Sequence, residues 1–457
     1  MTHSRRRASI AVLTAVAVAT SLAFATPAAA RTPDEPGASD APLTAAAAGT
    51  VTGRIMIELP NGGTVAANSG YVALYSLSSS DLIPEGAASL TSSGTFAISG
   101  LAAGDYIAEF RSTDTRAPYV REWFGNGEAQ TSGQTFTLIE GAPYAFGDIV
   151  LETRSIFVAR YFGSDRYATA ARLSEVRATD GADRHIVIVN GADYPDALSA
   201  GPLTNSKFGH MLMVTTSAIP AATAAELNRL DPTAITIVGG TGVVSLAVEQ
   251  QLRAYVSSPS LVTRISGSNR YATSRAVLEA FSSAPNELFI ATGTGFADAL
   301  AAGPAAGVVG GGVLLVNGSA PTLDAATLAL VEELDVPVTI VGGTGSVSAG
   351  IEQALDALAV PVRRVAGSSR FSTAIAIAVE YFPTADYAFV SNAYGFADAL
   401  AAGPFAGDLR APLYLSPRDC LPGAVGDDIL AIYTNNVFLV GGPGVLGAAL
   451  DDLTVCP

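Results

Sequence analysis

Lysine is all but missing from this chain of 457 residues: Lys207 is the single one, and arginine carries the rest of the positive charge. That habit has two readings, a bias of the coding sequence or a preference for the bidentate anion contacts a guanidinium makes. Histidine is nearly as scarce, with three in all, beside two cysteines and one tryptophan. These shortages exclude much. A phosphate-cradling P-loop needs Gly-Lys-Ser/Thr, and Lys207 sits in Asn205-Ser206-Lys207-Phe208 instead. His185 and His210 each open an apolar run without a partner at metal-ligand spacing, so they read as strand-edge packing, and no metal or other cofactor is expected. Charged residues make up only 14% of the chain and the net charge is −16. Such a surface repels nucleic acid and acidic membrane. Beyond the leader no unbroken apolar run reaches the length of a membrane span.

What is present begins with an address. Arg5-Arg6-Arg7, an apolar stretch over 8–24 and Ala28-Ala29-Ala30 read as a secretory signal peptide over 1–30. Residues 31–49, rich in Pro, Ala and acid, read as a flexible linker. From 50 to 154 the pattern is β. Val51, Gly53, Ile55 and Ile57 alternate with their neighbours, and 94–110 is a strand, a Gly-bounded turn and a strand carrying Tyr106, Ala108 and Phe110. The phrase G-T-F-x-I-x-G-L-x-x-G-x-Y in that stretch resembles prealbumin-like, or carboxypeptidase-regulatory-like, β-sandwich domains. The resemblance implies a spacer or adhesive module. Trp123-Phe124 either caps the core of such a sandwich or offers an aromatic platform to sugars.

The remainder is written three times. RYFGSDRYAT from Arg160 returns as RISGSNRYAT from Arg264 and RVAGSSRFST from Arg364. YPDALSAGPL around Asp196 returns as FADALAAGPA around Asp298 and FADALAAGPF around Asp398. ITIVGGTGVVS from Ile235 returns as VTIVGGTGSVS from Val338 and VFLVGGPGVLG from Val437. The period is domain-sized, about 100 residues, and divides the chain into copies over 155–259, 260–359 and 360–457. In the second copy, apolar strands at 261–265, 287–291, 313–316 and 338–341 alternate with helical patterns at 271–281, 297–309, 323–334 and 348–358. Continuous apolar strands between helices predict parallel sheets covered on both faces, with Gly-rich and Asp-bearing turns at the strands' carboxyl ends.

Two kinds of charge recur in step. Asp196, Asp298 and Asp398 are expected to open helices, where the dipole and free N–H groups favour a carboxylate. Arg166, Arg270 and Arg370 also begin helices, where a cation is unfavourable and something must compensate. Either the Asp of the same copy does so, as a structural partner, or a bound anion does. Arg160, Arg264 and Arg364 recur as well and would extend an anion-binding patch. Cys420 and Cys456, an even count in an exported chain, are expected to form one disulfide that staples the last copy.

R-Y-x-T, [PA]-D-A-L-[SA]-A-G-P and [IL]-V-G-G-x-G, in order and in triplicate, resemble the type 2 cell-wall-binding repeat family. The resemblance implies Rossmann-like or flavodoxin-like units about a pseudo-threefold axis. It also implies a secreted protein kept at the surface of a Gram-positive cell by non-covalent contact with an anionic wall polymer or peptidoglycan-associated glycan. The polymer is expected in clefts between copies, at several weak sites, with no catalysis. Two rivals belong to other classes: a secreted hydrolase or nucleotide-dependent enzyme using the strand-end clefts, and a self-associating structural surface protein. The third copy departs from the pattern, with Phe371-Ser372 for Tyr-Ala and Pro443 inside its Gly-rich turn.

Overall fold

A computed structural model of the chain describes residues 49–59, 63–77, 84–112, 120–124, 134–151, 156–177, 184–358, 360–432 and 434–456. The signal peptide read over 1–30 and all but the end of the linker lie outside them.

The alternating pattern after residue 50 folds as two sheets. In one, β1 (Val51–Glu58) pairs antiparallel with β2 (Thr64–Ala66) and β5 (Thr95–Ile98), and parallel with β9 (Tyr144–Leu151). In the other, β3 (Gly70–Ser76) lies between β4 (Gly86–Ser89) and β6 (Gly104–Ser112), which also pairs with β7 (Val120–Trp123) and β8 (Thr135–Leu138). The period of two decides what is inside. Ile55 and Ile57 of β1, Val72 and Leu74 of β3, and Tyr106, Ala108 and Phe110 of β6 share one buried cluster. Phe124 packs on that cluster, its ring 6.2 Å from Phe136 and 4.9 Å from Phe146, which favours the core reading for it. The Trp123 side chain lies outside the described residues.

The triplicated region forms three parallel four-stranded sheets. The first runs β12 (His210–Val214), β11 (His185–Asn190), β13 (Ala234–Val238), β14 (Val262–Ile265). The second runs β16 (Gly312–Val316), β15 (Leu288–Thr292), β17 (Val338–Val341), β18 (Val362–Val365). The third runs β20 (Leu413–Ser416), β19 (Tyr387–Asn392), β21 (Asn436–Val440), β10 (Phe157–Tyr161). Numbered within a unit, the order is 2-1-3-4, which is the flavodoxin-like arrangement rather than the 3-2-1-4 of the Rossmann fold.

The sheets run out of phase with the copies. β14 and β18 begin the second and third copies, yet each is the last strand of the preceding sheet. β10 begins the first copy and joins the third sheet, which ties residue 157 to residue 436. A cyclic repeat has a period but no natural starting point, so boundaries drawn at 155, 260 and 360 cut between a sheet and its fourth strand.

Helices cover these sheets. α1 (Arg166–Arg177), α5 (Arg270–Glu279) and α9 (Arg370–Tyr381) pack on β12, β16 and β20, the sequence-equivalent strands of their units. The small-residue helices α2 (Ala200–Ser206), α6 (Ala297–Val309) and α10 (Ala397–Asp408) each touch the other two. Their alanines, with Phe289, Phe389 and Phe438, form one core that joins all three units. Alanine and glycine let the helix backbones approach. At one level of this contact two copies have Gly307 and Gly407 and the first has Asn205, whose amide donates to Pro404 O at 2.7 Å and Asp408 Oδ1 at 2.6 Å. A methyl group on Gly307 would lie 2.6 Å from Asn205 Oδ1, so one side chain fills space left by two glycines. The remaining helices, α3 (Ala221–Leu230), α4 (Leu246–Leu252), α7 (Ala325–Leu334), α8 (Ala349–Asp356) and α11 (Gly423–Ala431), belong to the outer, unit-specific cores. Among the described residues no helix is long and apolar enough to cross a membrane.

Candidate functional site

The repeated glycine pair at the end of β13, β17 and β21 fixes the geometry of the carboxyl edge. Its first residue, Gly239, Gly342 or Gly441, has φ of 122°, 102° or 137°, a region that side chains rarely tolerate. A Cβ there would also meet the repeated aspartate: Asp196 Oδ2 at 3.2 Å, Asp298 Oδ2 at 2.4 Å, Asp398 Oδ2 at 3.2 Å. The turn is therefore shaped around a carboxylate. Asp298 and Asp398 lie in the first turns of α6 and α10, as expected. Asp196 precedes α2, in a turn where Pro195 replaces the alanine of the other copies. Burial raises all three above the ordinary aspartate value, while a nearby hydroxyl (Thr273, Ser346 and Thr169 in turn) and an arginine pull the other way.

That arginine does not come from the same copy. Asp196 feels Arg270, Asp298 feels Arg370 and Asp398 feels Arg166. The pairing expected within a copy runs between copies, because the fourth strand of each sheet delivers the next copy's helix start to that sheet's edge. It is also not an ion pair: among the described residues no carboxylate lies within 4.0 Å of Arg166, Arg270 or Arg370. Each makes one hydrogen bond, from Nη1 to a backbone carbonyl: Gly191 at 2.6 Å, Gly293 at 2.6 Å and Ala393 at 2.5 Å. The other guanidinium donors have no protein acceptor among the described residues.

Arg160, Arg264 and Arg364 are turned inward. Arg264 donates from Nε and Nη2 to Glu249 Oε2 at 3.0 and 2.7 Å, and from Nη1 to Gly239 O at 2.6 Å. Arg364 repeats this with Glu352 and Gly342 O. Arg160 does so with Asp451 and the carbonyls of Gly441, Leu446 and Gly447. Each ties its strand to the glycine turn and following helical segment of the preceding sheet. They do not extend a ligand-facing patch, since their donors are already taken. The Arg264 guanidinium holds Glu249 below its ordinary value.

Residues not singled out in the sequence complete the edge. Asp165 and Asn269 accept hydrogen bonds from the first-turn amides of α1 and α5, at 2.8 Å from Ala168 and 3.0 Å from Ala272, and Ser369 accepts from Ser372 N in α9 at 3.2 Å. Thr169, Thr273 and Thr373 accept from the amides of Gly163, Gly267 and Gly367. Asn190 and Asn392 donate to Val243 O and Val445 O, both at 2.6 Å, bracing the glycine turns. The signal was there: a short polar cap residue before each helix and a strand-terminal Asn in two copies.

Tyr194, Phe296 and Phe396, each two residues before a repeated aspartate, meet pairwise with centroids 5.6, 5.3 and 6.1 Å apart. The sites of the three units thus converge on one aromatic cluster. A cleft of about 580 Å³ opens at the edge of the second sheet, lined by Tyr194, Phe296, Asp298, Ser346, Ser369 and Arg370 among others. It sits outside the carboxyl ends of the strands, where open α/β sheets hold ligands.

Elsewhere, Cys420 and Cys456 are joined, with Cα atoms 4.8 Å apart and a sequence separation of 36. Closing a loop of this size stabilises by roughly 3–4 kcal/mol on the loop-entropy model. His185 Nε2 lies 2.9 Å from Thr236 Oγ1 and His210 Nδ1 lies 2.9 Å from Ser174 Oγ, both within the first unit. Among the described residues no three His, Cys, Asp or Glu side chains are grouped to hold a metal ion.

Comparison with known proteins places this edge in a family. N-acetylmuramoyl-L-alanine amidase LytC of Bacillus subtilis (strain 168) is 30% identical over 285 residues, which is 62% of this chain and 55% of that protein. The amidase enhancer of the same strain is 27% identical over 267 residues, 58% of this chain and 35% of its own length. The chain therefore spans about half, or less, of these curated relatives. Among solved structures, Cwp6 from Clostridium difficile superposes with a TM-score of 0.60 at 22% identity, covering 85% of this chain and 64% of that one. Cwp8 from the same organism gives 0.59 at 21%. At that identity they speak for the fold alone. The model of cell wall binding domain 2 (CWB2) matches residues 160–249, 264–352 and 364–450, in the phase of the arginine-led phrases. These segments make up more than half of the chain, and it belongs to the cell wall binding domain 2 family, with three tandem copies.

Proposed function

We propose that this is a secreted protein held non-covalently at a Gram-positive cell wall, its three α/β units gripping an anionic wall polymer or peptidoglycan-associated glycan. The grip is at the carboxyl edges of the sheets, through Arg166, Arg270 and Arg370. The observation that carries this reading is the state of those three guanidinium groups, each with one hydrogen bond and the rest of its donor fork unused among the described residues. A planar fork of free donors suits phosphate or carboxylate. Three weak sites on one body convert modest contacts into a hold, because the second and third engagements are intramolecular. The two N-terminal sheets, read as a prealbumin-like sandwich over 50–154, serve as spacer or adhesive module.

The test is sedimentation with purified walls, before and after the anionic polymer is stripped chemically. Co-sedimentation with intact walls and its loss from stripped ones is expected. Undiminished binding to stripped walls would overturn the polymer mechanism.

A further inference from the structure

The three edges are copies in sequence, but their charge is not the same. At the first, Asp193 stands beside Asp196 and adds a second carboxylate to the site of Arg270. At the third, the helix cap next to Arg166 is Asp165, again a second carboxylate. At the second, the equivalents are Gly295 and Ser369, both neutral, and both line the cleft. Arg370 faces one half-buried aspartate there, and the other polar groups lining that cleft are hydroxyls. Its guanidinium is also placed most firmly, with the Phe296 ring centroid 5.8 Å on one hand and that of Tyr394 5.2 Å on the other. Among the described residues Arg166 has one such ring, Phe396 at 5.4 Å. Tyr394 replaces Ala192 and Thr294 of the other copies, and the residue is 67% exposed beside Arg370.

We infer that the copies are not interchangeable: the cleft between the second sheet and the start of α9 is the principal subsite for an oxyanion-bearing sugar residue. The oxyanion meets Arg370 and the serine hydroxyls, and the sugar lies toward Tyr394. The first and third edges, each with an added carboxylate, contribute weak contacts. This deepens the wall-attachment reading and rests on it for the polymer, though not for the chemistry of the cleft. It also relocates the third copy's departures. Ala393 occupies the position of Gly191 and Gly293, against which the Tyr167 and Tyr271 rings lie; Phe371 instead meets Tyr394 edge-on at 6.5 Å. Those substitutions gather around Arg370, whose Nη1 donates to Ala393 O and whose guanidinium lies 5.2 Å from the Tyr394 ring centroid.

The experiment is a titration of the full, isotope-labelled chain with glucose 1-phosphate and, separately, methyl glucuronide, followed at the backbone amides. Saturable shifts are expected at residues 368–370 and not at 164–166 or 268–270 over the same range. The stronger of the two arms identifies phosphate or carboxylate as the preferred oxyanion. Arg370→Gln removes a charge-assisted hydrogen bond and is expected to weaken binding about tenfold or more. Gly295→Asp copies the first edge's extra carboxylate into the second cleft. A Cβ there meets nothing closer than Thr292 Cγ2 at 3.7 Å, so the fold accommodates it and probe binding alone is expected to fall. Equal shifts at all three edges, or none at 368–370, overturn the assignment. Wall sedimentation separates the two readings: binding weakened equally by Arg166→Gln, Arg270→Gln and Arg370→Gln leaves attachment standing and sinks the principal cleft. Probe binding at 368–370 without wall binding does the reverse.

Discussion

Arg264 and Arg270 stand six residues apart in one repeated phrase, and their surroundings could hardly differ more. Arg264 spends its donors on Glu249 and the Gly239 carbonyl, with both charged side chains largely buried, at 14% and 15% exposed. Arg270 gives one hydrogen bond to Gly293 and leaves the rest of its fork at the edge of a sheet. The same division of donors holds for Arg364 against Arg370 and for Arg160 against Arg166, with the Asp451 partner of Arg160 half exposed. A cation on the last strand of a sheet is enclosed by the turn and helix beside it, so it is kept only if a carboxylate meets it. A cation at a helix start, on the wet side of the strand ends, pays little for solvent contact and keeps its capacity to bind. One set of arginines closes the ring of copies; the other keeps donors that no protein acceptor takes among the described residues.

The largest effect that tests this contrast is on stability. Arg264→Ala strands Glu249 without its main partner and is expected to cost about 3 kcal/mol in urea unfolding. Arg270→Ala should cost under about 0.5 kcal/mol, in the range of surface substitutions, and should instead weaken wall binding. Equal destabilisation by the two would erase the distinction. Next in size is Gly342→Ala, which combines a positive φ with a contact at 2.4 Å to Asp298 Oδ2. A loss of about 2 kcal/mol is expected. Gly239→Ala and Gly441→Ala, with the same contact at 3.2 Å, should cost less. Unfolding midpoints that rank the three the other way would mean the turn is not built around the carboxylate.

Much of this architecture was legible beforehand, for a physical reason. Strands covered on both faces need continuous apolar runs, and small-residue helices have a plain boundary at glycine or a charge. Thus 297–309 and 338–341 are a helix and a strand residue for residue. The phase of the sheets was not legible, since β14 looks like the start of a copy until its hydrogen-bonded neighbour is known. Nor was the fate of the arginines, because the partners of Arg264 lie in the preceding copy. One signal was present: an acidic residue, Glu249, Glu352 or Asp451, stands ten positions after the first glycine of every glycine turn.

The smallest expected effect concerns the aspartate between the two sets. Asp298 has a folded-state pKa raised by burial above its ordinary 3.8, with Arg370 and Ser346 only partly offsetting this. Between 3.8 and the raised value the folded chain holds a proton that the unfolded chain has released. Stability from this group is therefore full below the unfolded value and falls as pH rises through the folded one. Asp298→Asn keeps the shape, can still hydrogen-bond Ser346 and does not ionise. The difference in unfolding free energy, variant minus parent, should grow in the variant's favour as pH is raised through that window and level off above it. Had Arg370 been a true internal partner, the aspartate would be lowered instead, and the same difference would run against the variant with rising pH. The sign of one slope thus reports whether burial or the helix-start arginine dominates the charge of its neighbouring aspartate.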